Sequence, residues 1–508
     1  MIATMAQKAD GFGAFDGAGV IEFPKPVPKE NLERAVEASW TRLRKTVPII
    51  ALKTYALPAP DNDFHYLEYV VPSNDDDVKE WTQKTLIWHD DAISMHDRDQ
   101  QLKNSYWKPG EGHYNYELHV APDIEDGKWQ FIVHAGHWSI DARGFMQTFG
   151  IFLAHLNEYL VEEKPFSNSG AWGEETKYFA PASVVVGAEA AGQPLSSLFP
   201  EPQPTKAPDT SAAASAPAPV MFLRPINLLD PEPKNSQQSY DIWLSETQTS
   251  AFREACRQRN LTVTQATTAL MSLAELEWVM SFPMGETEEQ KKAAIKGFKE
   301  ATHVPSIWNI VDQRLKMGEY SSHEGEKGSP TMAADGFPLM MDMHVLRKAI
   351  KYDEATGQIT RNPRDDVFWD SVVPMCRDAW KVNDMSWQGF LQREIGSQQM
   401  IPLFVGEAYM IPSLLSSSIG DAELCGFLTH VSPLIRRQRE AKGEILDKHL
   451  VMDQLSFSVR TPTPLKMILV WQWNGRMMLR LHSSAKWTSE EGMKKFGQIF
   501  SEWIDMVA

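Results

Sequence analysis

Three histidines in this chain stand four residues before an aspartate: His119 before Asp123, His137 before Asp141 and His449 before Asp453. An imidazole near neutral pH can take a proton from an attacking group and return it to a leaving group, and a nearby carboxylate can hold the loop that carries it. With 14 histidines in the chain, on the order of one such spacing is expected by chance. Context separates the three. His119 and Asp123 enclose VAP within a hairpin pattern, and the proline and following turn mark a coincidence. His449 and Asp453, in HLVMD, have neither a following glycine nor a following helix. His137 and Asp141, in FIVHAGHWSIDARGF, follow an apolar strand pattern and precede Gly144 and a helical pattern. A chain that turns sharply there can push His137 into a cleft while Asp141 holds the turn. On residue types alone, His137 reads either as a catalytic base or as a core histidine with its bonds satisfied.

Other chemistries fit less well. His134 and His137 lie three apart, so on a strand they point to opposite faces and converge poorly on one metal ion. Asp141 is the only nearby carboxylate at a useful spacing, and no metal site is expected. The chain has no G-x-S-x-G elbow for a serine hydrolase. Its three cysteines, Cys256, Cys376 and Cys425, are scattered, which suits reduced thiols rather than a disulfide framework.

The elements that must position HWSID follow from periodicity. Leu32, Val36, Trp40 and Leu43 form one stripe of a helix over 30–45. Alternation predicts strands at FHYLEYVV from Phe64, at YNYELHV from Tyr114 and at WQFIVHA from Trp129. The Asp-Gly turn chemistry between the last two makes them a hairpin. Phe145, Phe149, Phe152, Leu153 and Leu156 then mark a helix, so HWSID sits where a strand hands over to a helix. Farther on, LTVTQATTALMSLAELEWVM reads as a buried helix and PSIWNIVDQRLKM contains a short strand. LKMILVWQWNGRMMLRLHS reads as two strands around Asn474-Gly475, and the chain closes with an amphipathic helix. Proline, alanine and serine dominate 193–219, a linker or exposed crossover. It divides the 508 residues into an N-terminal part, 1–192, that carries the motif, and a C-terminal part, 220–508. Helices and strands mix without strict βαβ alternation, which predicts an α/β or α+β architecture with mixed sheets.

The net charge of −17 argues against a nucleic-acid surface. No apolar run reaches the roughly 18 residues of a membrane span, and neither a leader nor a retention address is expected from the terminal residues. A cytoplasmic location is the expectation.

HWSIDA resembles the HxxxD(G/A) signature of the BAHD-type acyltransferases and the related condensation domains. LTVTQATTAL resembles that superfamily's helix after the crossover. IVDQR resembles its strand carrying an arginine that faces the motif aspartate. SLLSSSIGDAE resembles the second-lobe strand end lining the tunnel, and WQWNGRMMLRL the hydrophobic hairpin. The order and spacing match over nearly the whole length. Within the superfamily the chain is most similar to the fungal trichothecene O-acetyltransferases. It departs in having Ala142-Arg143 before Gly144, Gly136 in place of the first histidine of the condensation-domain form, and no plant-type DFGWG motif. The Gly136 departure disfavours a carrier-protein condensation domain.

The resemblance implies a chloramphenicol-acetyltransferase-like fold: two similar lobes of mixed sheets flanked by helices, with a tunnel between them. It implies acetyl transfer from acetyl-CoA, as co-substrate rather than resident cofactor, to a hydroxyl of a trichothecene-type sesquiterpenoid, that at C-15. His137 would be the general base. Asp141, paired with Arg314 and helped by Gly144, would support the loop, with Arg143 as a competing partner for Asp141. Ser416, Ser417 and Ser418 would line the tunnel or donate to the oxyanion, although a serine run also reads as loop solvation. Arg436-Arg437 could attract CoA phosphates or form a solvated face. A monomer acting through a ternary complex is expected. A catalytically silent member of the fold that binds a hydrophobic ligand or a protein also fits the residues.

Overall fold

The nine residues Leu465–Trp473 are all buried, and the two faces of this strand feed different cores. Leu465, Met467, Leu469 and Trp471 join one apolar cluster, and Ile468 and Val470 join another. A strand buried on both faces must be apolar at almost every position, which is why LKMILVWQW lacks alternation. Two polar residues interrupt it: Gln472 donates to Asp421 at 2.7 Å, and Lys466 is held by Glu275 at 2.5 Å and lies 3.4 Å from the centre of the Trp278 ring. Asn474 and Gly475 both adopt positive φ, 52° and 74°, as a type I′ turn requires. The antiparallel partner Arg476–Ser484 follows directly.

A computed structural model describes residues 2–58, 65–162, 171–194, 196, 220–227, 229, 235–318, 332–404, 412–446 and 449–507. The Pro/Ala/Ser-rich crossover, 193–219, lies almost wholly outside them. Two principal mixed sheets, flanked by helices, form two lobes. The first runs Val451–Val459, Ala14–Glu22, Lys128–Gly136, Tyr116–Pro122 and Leu86–Trp88 in spatial order. The second runs Gln237–Trp243, Arg476–Ser484, Leu465–Trp473, Ser413–Asp421, His303–Asp312 and Ala334–Asp342. The 114–120 and 129–135 segments pair antiparallel as expected.

The sheets do not follow the division at the crossover. Strand Val451–Val459, from the C-terminal part, pairs antiparallel with Ala14–Glu22 and completes the first sheet. Nothing in its local pattern names the partner, because pairing is decided by which edge is open when the lobes meet. A small separate hairpin, Leu52–Ala56 with His65–Tyr69, stands beside the first sheet.

Helix Ala142–Leu160 packs on the first sheet through the apolar stripe read from the sequence. Its Phe145 ring fills the space above Gly17, where a Cβ would collide with it. Helix Val263–Met280 begins with a capping box of Thr262 and Gln265. No described helix is long and apolar enough to cross a membrane.

Candidate functional site

Between the two sheets lies a cavity of about 530 Å³, within the range of small-molecule sites. Phe15, Phe457 and Val459 of the first sheet line it, as do Leu415, Met467 and Leu469 of the second. His137 and Asp141 both reach it, and Arg314 lies on its wall.

The strand Lys128–Gly136 ends at Gly136, and the turn that follows is tied down by backbone bonds. His137 N–H donates to Gly13 C=O at 2.9 Å, and Gly136 N–H donates to Asn115 C=O at 3.1 Å. Ser139 donates from both N–H and hydroxyl to Gly136 C=O, and Tyr116 hydroxyl donates to Ser139 C=O at 2.9 Å. Against this fixed loop the His137 ring stands 5.6 Å from the Phe15 ring. Its Nδ1 lies 2.6 Å from Ile140 C=O. A carbonyl only accepts, so Nδ1 carries a hydrogen, and in the neutral ring Nε2 keeps the lone pair. With Nδ1 engaged, Nε2 is the nitrogen left to face the cavity.

Asp141 spends its oxygens on structure. Oδ1 accepts from Gly144 N–H at 2.9 Å, capping helix Ala142–Leu160, and from Arg314 Nη2 at 2.9 Å. Oδ2 accepts from Ala333 N–H at 3.0 Å. Burial pushes this carboxyl up, but the Arg314 guanidinium and the two backbone donors outweigh burial and hold it below the ordinary carboxylate range. A carboxylate so engaged has no capacity to act as the base.

Arg314 also bonds Asp312 at 3.2 Å, and Asp312 in turn bonds Arg143 at 3.2 Å. Arg143 is therefore the partner of Asp312, not of Asp141. Arg314 lies just beyond its expected strand: His303–Asp312 ends first, and Arg314 opens a short 3₁₀ turn, Arg314–Lys316. Asp312 Oδ1 accepts from the Arg314 N–H and helps form that turn.

The serine run divides. Ser417 and Ser418 line the cavity. Ser416 does not: it is buried on the other face, where its Oγ accepts from Thr268 hydroxyl at 3.0 Å. Alternation along a strand sends 415 and 417 one way and 416 the other. The register shift between Ser418 and Gly420 then lets Ser418 face the cavity as well. Arg436 and Arg437 are committed elsewhere, to Glu440 at 2.8 Å and to Asn474 at 2.7 Å.

His134 is on the opposite face of its strand, buried and bonded to Asp16. No group of histidine, cysteine and acidic side chains suited to a metal occurs among the described residues. Contributors that the local sequence did not disclose are the Gly13 carbonyl, the Ala333 N–H and Thr54, whose Oγ1 accepts from Trp138 Nε1 at 2.8 Å. Each is distant along the chain, so no spacing signals it.

Two lobes of mixed sheet, each flanked by helices, match in fold the solved structures of CoA-dependent acyltransferases and condensation domains. Solved structures carry that comparison; no family model matches the sequence, and no curated protein does. The TRI3 trichothecene 15-O-acetyltransferase from Fusarium sporotrichioides aligns with a TM-score of 0.68 at 15% identity, covering 100% of this chain and 94% of its own. The first condensation domain of the CDA synthetase aligns at 0.55 and 11% identity, with coverage of 100% and 94%. The condensation domain of the Monacolin K polyketide synthase MokA aligns at 0.53 and 13%, again covering 100% and 94%. At these identities the likeness is one of fold.

Proposed function

We propose that the chain is an alcohol O-acetyltransferase that moves the acetyl group of acetyl-CoA to a hydroxyl of a trichothecene-type sesquiterpenoid, at C-15. The observation that carries this reading is the His137 ring: Nδ1 fixed on the Ile140 carbonyl, Nε2 left for the cavity, and Asp141 turned to Arg314 instead of the reacting centre. The similarity in fold to a trichothecene 15-O-acetyltransferase supports the substrate class.

In the mechanism, His137 Nε2 takes the hydroxyl proton as the alcohol oxygen bonds to the thioester carbon. The carbonyl electrons move to oxygen, giving a tetrahedral oxyanion for which the Ser417 and Ser418 hydroxyls on the cavity wall are candidate donors. When the carbonyl reforms, the carbon–sulfur bond breaks and the imidazolium returns its proton to the thiolate. The products are the acetyl ester and free CoA thiol. The described cavity lining includes no cysteine, which favours direct attack within a ternary complex over an acyl-enzyme.

Incubation with acetyl-CoA and a trichothecene alcohol should release CoA thiol and form an ester visible by mass spectrometry. Double-reciprocal plots should intersect. Parallel lines, or an acetylated protein formed without alcohol, would overturn direct transfer. Absence of thiol release across a panel of sesquiterpenoid alcohols would leave a ligand-binding protein instead.

A further inference from the structure

Trp138, next to the base, lies against Gly136, and the two residues fit only each other. A Cβ on Gly136 would overlap the Trp138 indole. The adjoining edge of the ring is fastened: Nε1–H donates to Thr54 Oγ1 at 2.8 Å. Thr54 is buried, and its own hydroxyl hydrogen goes to Asn115 Oδ1 at 2.8 Å. Asn115 C=O receives the Gly136 N–H, and its N–H donates to Leu52 C=O. The indole is thus clamped between the end of the His137 strand and the separate hairpin Leu52–Ala56/His65–Tyr69. Trp138 and Thr54 both line the cavity.

This clamp lies on one side of His137. Trp138 leads toward the hairpin, where the cavity wall includes Ile49 and Leu67. Arg143 instead bonds Asp312 and lies near Gly420 at the end of strand Ser413–Asp421. An apolar polycyclic alcohol suits the first side. A large ring held by a hydrogen bond and by the absence of a side chain opposite is a fixed wall rather than an adaptable one.

We propose that Trp138 is a specificity-determining residue: its clamped indole limits the size of the alcohol that can present a hydroxyl to His137, and Gly136 is the residue that gives the ring its place. This rests on the acetyltransferase reading. It adds a reason for glycine where the condensation-domain form has a histidine: at this position any side chain displaces the wall.

The experiment compares wild type, Trp138→Ala, Trp138→Phe and Gly136→Ala with two alcohols, a tricyclic trichothecene alcohol and a larger tetracyclic sterol. Trp138→Ala should raise the ratio of kcat/KM for the tetracyclic over the tricyclic alcohol by about tenfold or more, the scale on which pocket volume discriminates. The KM for acetyl-CoA should stay unchanged. Trp138→Phe, which keeps a ring but loses the indole N–H, should shift the ratio less. Gly136→Ala should change the ratio while the protein remains folded by circular dichroism. A parallel fall in kcat/KM for both alcohols in all three variants would overturn the proposal, because a merely structural role damages both equally. Calorimetric binding of the same alcohols without any acyl donor separates this idea from the acetyltransferase reading. A changed affinity ratio in Trp138→Ala supports the wall even in a protein that transfers nothing, and an unchanged ratio overturns it.

Discussion

The strand Lys128–Gly136 and the turn after it carry two histidine–aspartate arrangements on opposite faces, and they do opposite things. On the cavity face His137 leans on a backbone carbonyl, and its aspartate, Asp141, is bound to Arg314. On the other face His134 bonds Asp16 directly, and both are buried. Burial pushes the His134 ring down, but the adjoining Asp16 carboxylate outweighs burial and keeps its proton on above the ordinary imidazole range. A histidine tied to a buried carboxylate is held for structure. A histidine that donates only to a neutral carbonyl keeps one nitrogen for chemistry. The residue types are the same; the second partner decides the role.

The sharpest way to break this comparison is to remove each imidazole in turn. His137→Ala should lower kcat by the roughly 10²–10⁴-fold expected for a lost acid–base group, with the unfolding midpoint nearly unchanged. Near-wild-type turnover in a folded variant would end the assignment. His134→Ala should do the reverse. The pair with Asp16 means that its removal strands a buried carboxylate. Because burial already raises the Asp16 pKa, that group can take up a proton and recover part of the loss. A destabilisation of about 1–3 kcal/mol in urea is expected, with kcat retained.

Asp141 and Arg314 test the support rather than the base. The pair is nearly buried, each side chain 9% exposed. Arg314→Ala should cost about 3–5 kcal/mol of stability, since it leaves a buried charge uncompensated. The sign in pH follows from the depressed Asp141 pKa. Its stabilisation is fully present above the unfolded value near 3.8 and is lost as pH falls through the lower folded value. Arg314→Ala should remove that part of the acid dependence.

Smaller effects distinguish the serines. Ser417→Ala with Ser418→Ala should reduce kcat, by up to roughly 10²-fold if either hydroxyl serves the oxyanion. Ser416→Ala should leave kcat alone and cost about 1 kcal/mol through its lost bond with Thr268. Equal loss of kcat in both would show that Ser416 also reaches the site.

The smallest expected effect is a slope. Burial, with Arg42 nearby, pushes the His155 imidazole down from 6.5 to about 4. Between those values the unfolded chain binds the proton and the folded one does not, so stability falls as pH drops from 6.5 toward 4. His155→Gln should flatten part of that slope in urea titrations at several pH values. An unchanged slope would show that His155 does not contribute to it.

The sequence by itself determined the local elements and put His137 forward as the candidate base. The apolar stripe of 142–160, the Asn474-Gly475 turn and the strand-to-helix setting of HWSID each arise from interactions within a few residues, so periodicity and turn chemistry expose them. The Asp141–Arg314 pair was reached through resemblance; no spacing would have found it. What the tertiary structure alone decided are partners brought together from afar. Strand Val451–Val459 completes the first sheet, Gly13 holds the His137 backbone, Asp16 claims His134, and Thr54 pins Trp138. It also decided which face each serine of 416–418 presents. A sequence records the side of a strand on which a residue falls, but not what the other lobe places against it. Whether a histidine keeps a nitrogen for chemistry or is held for structure depends on that second contact.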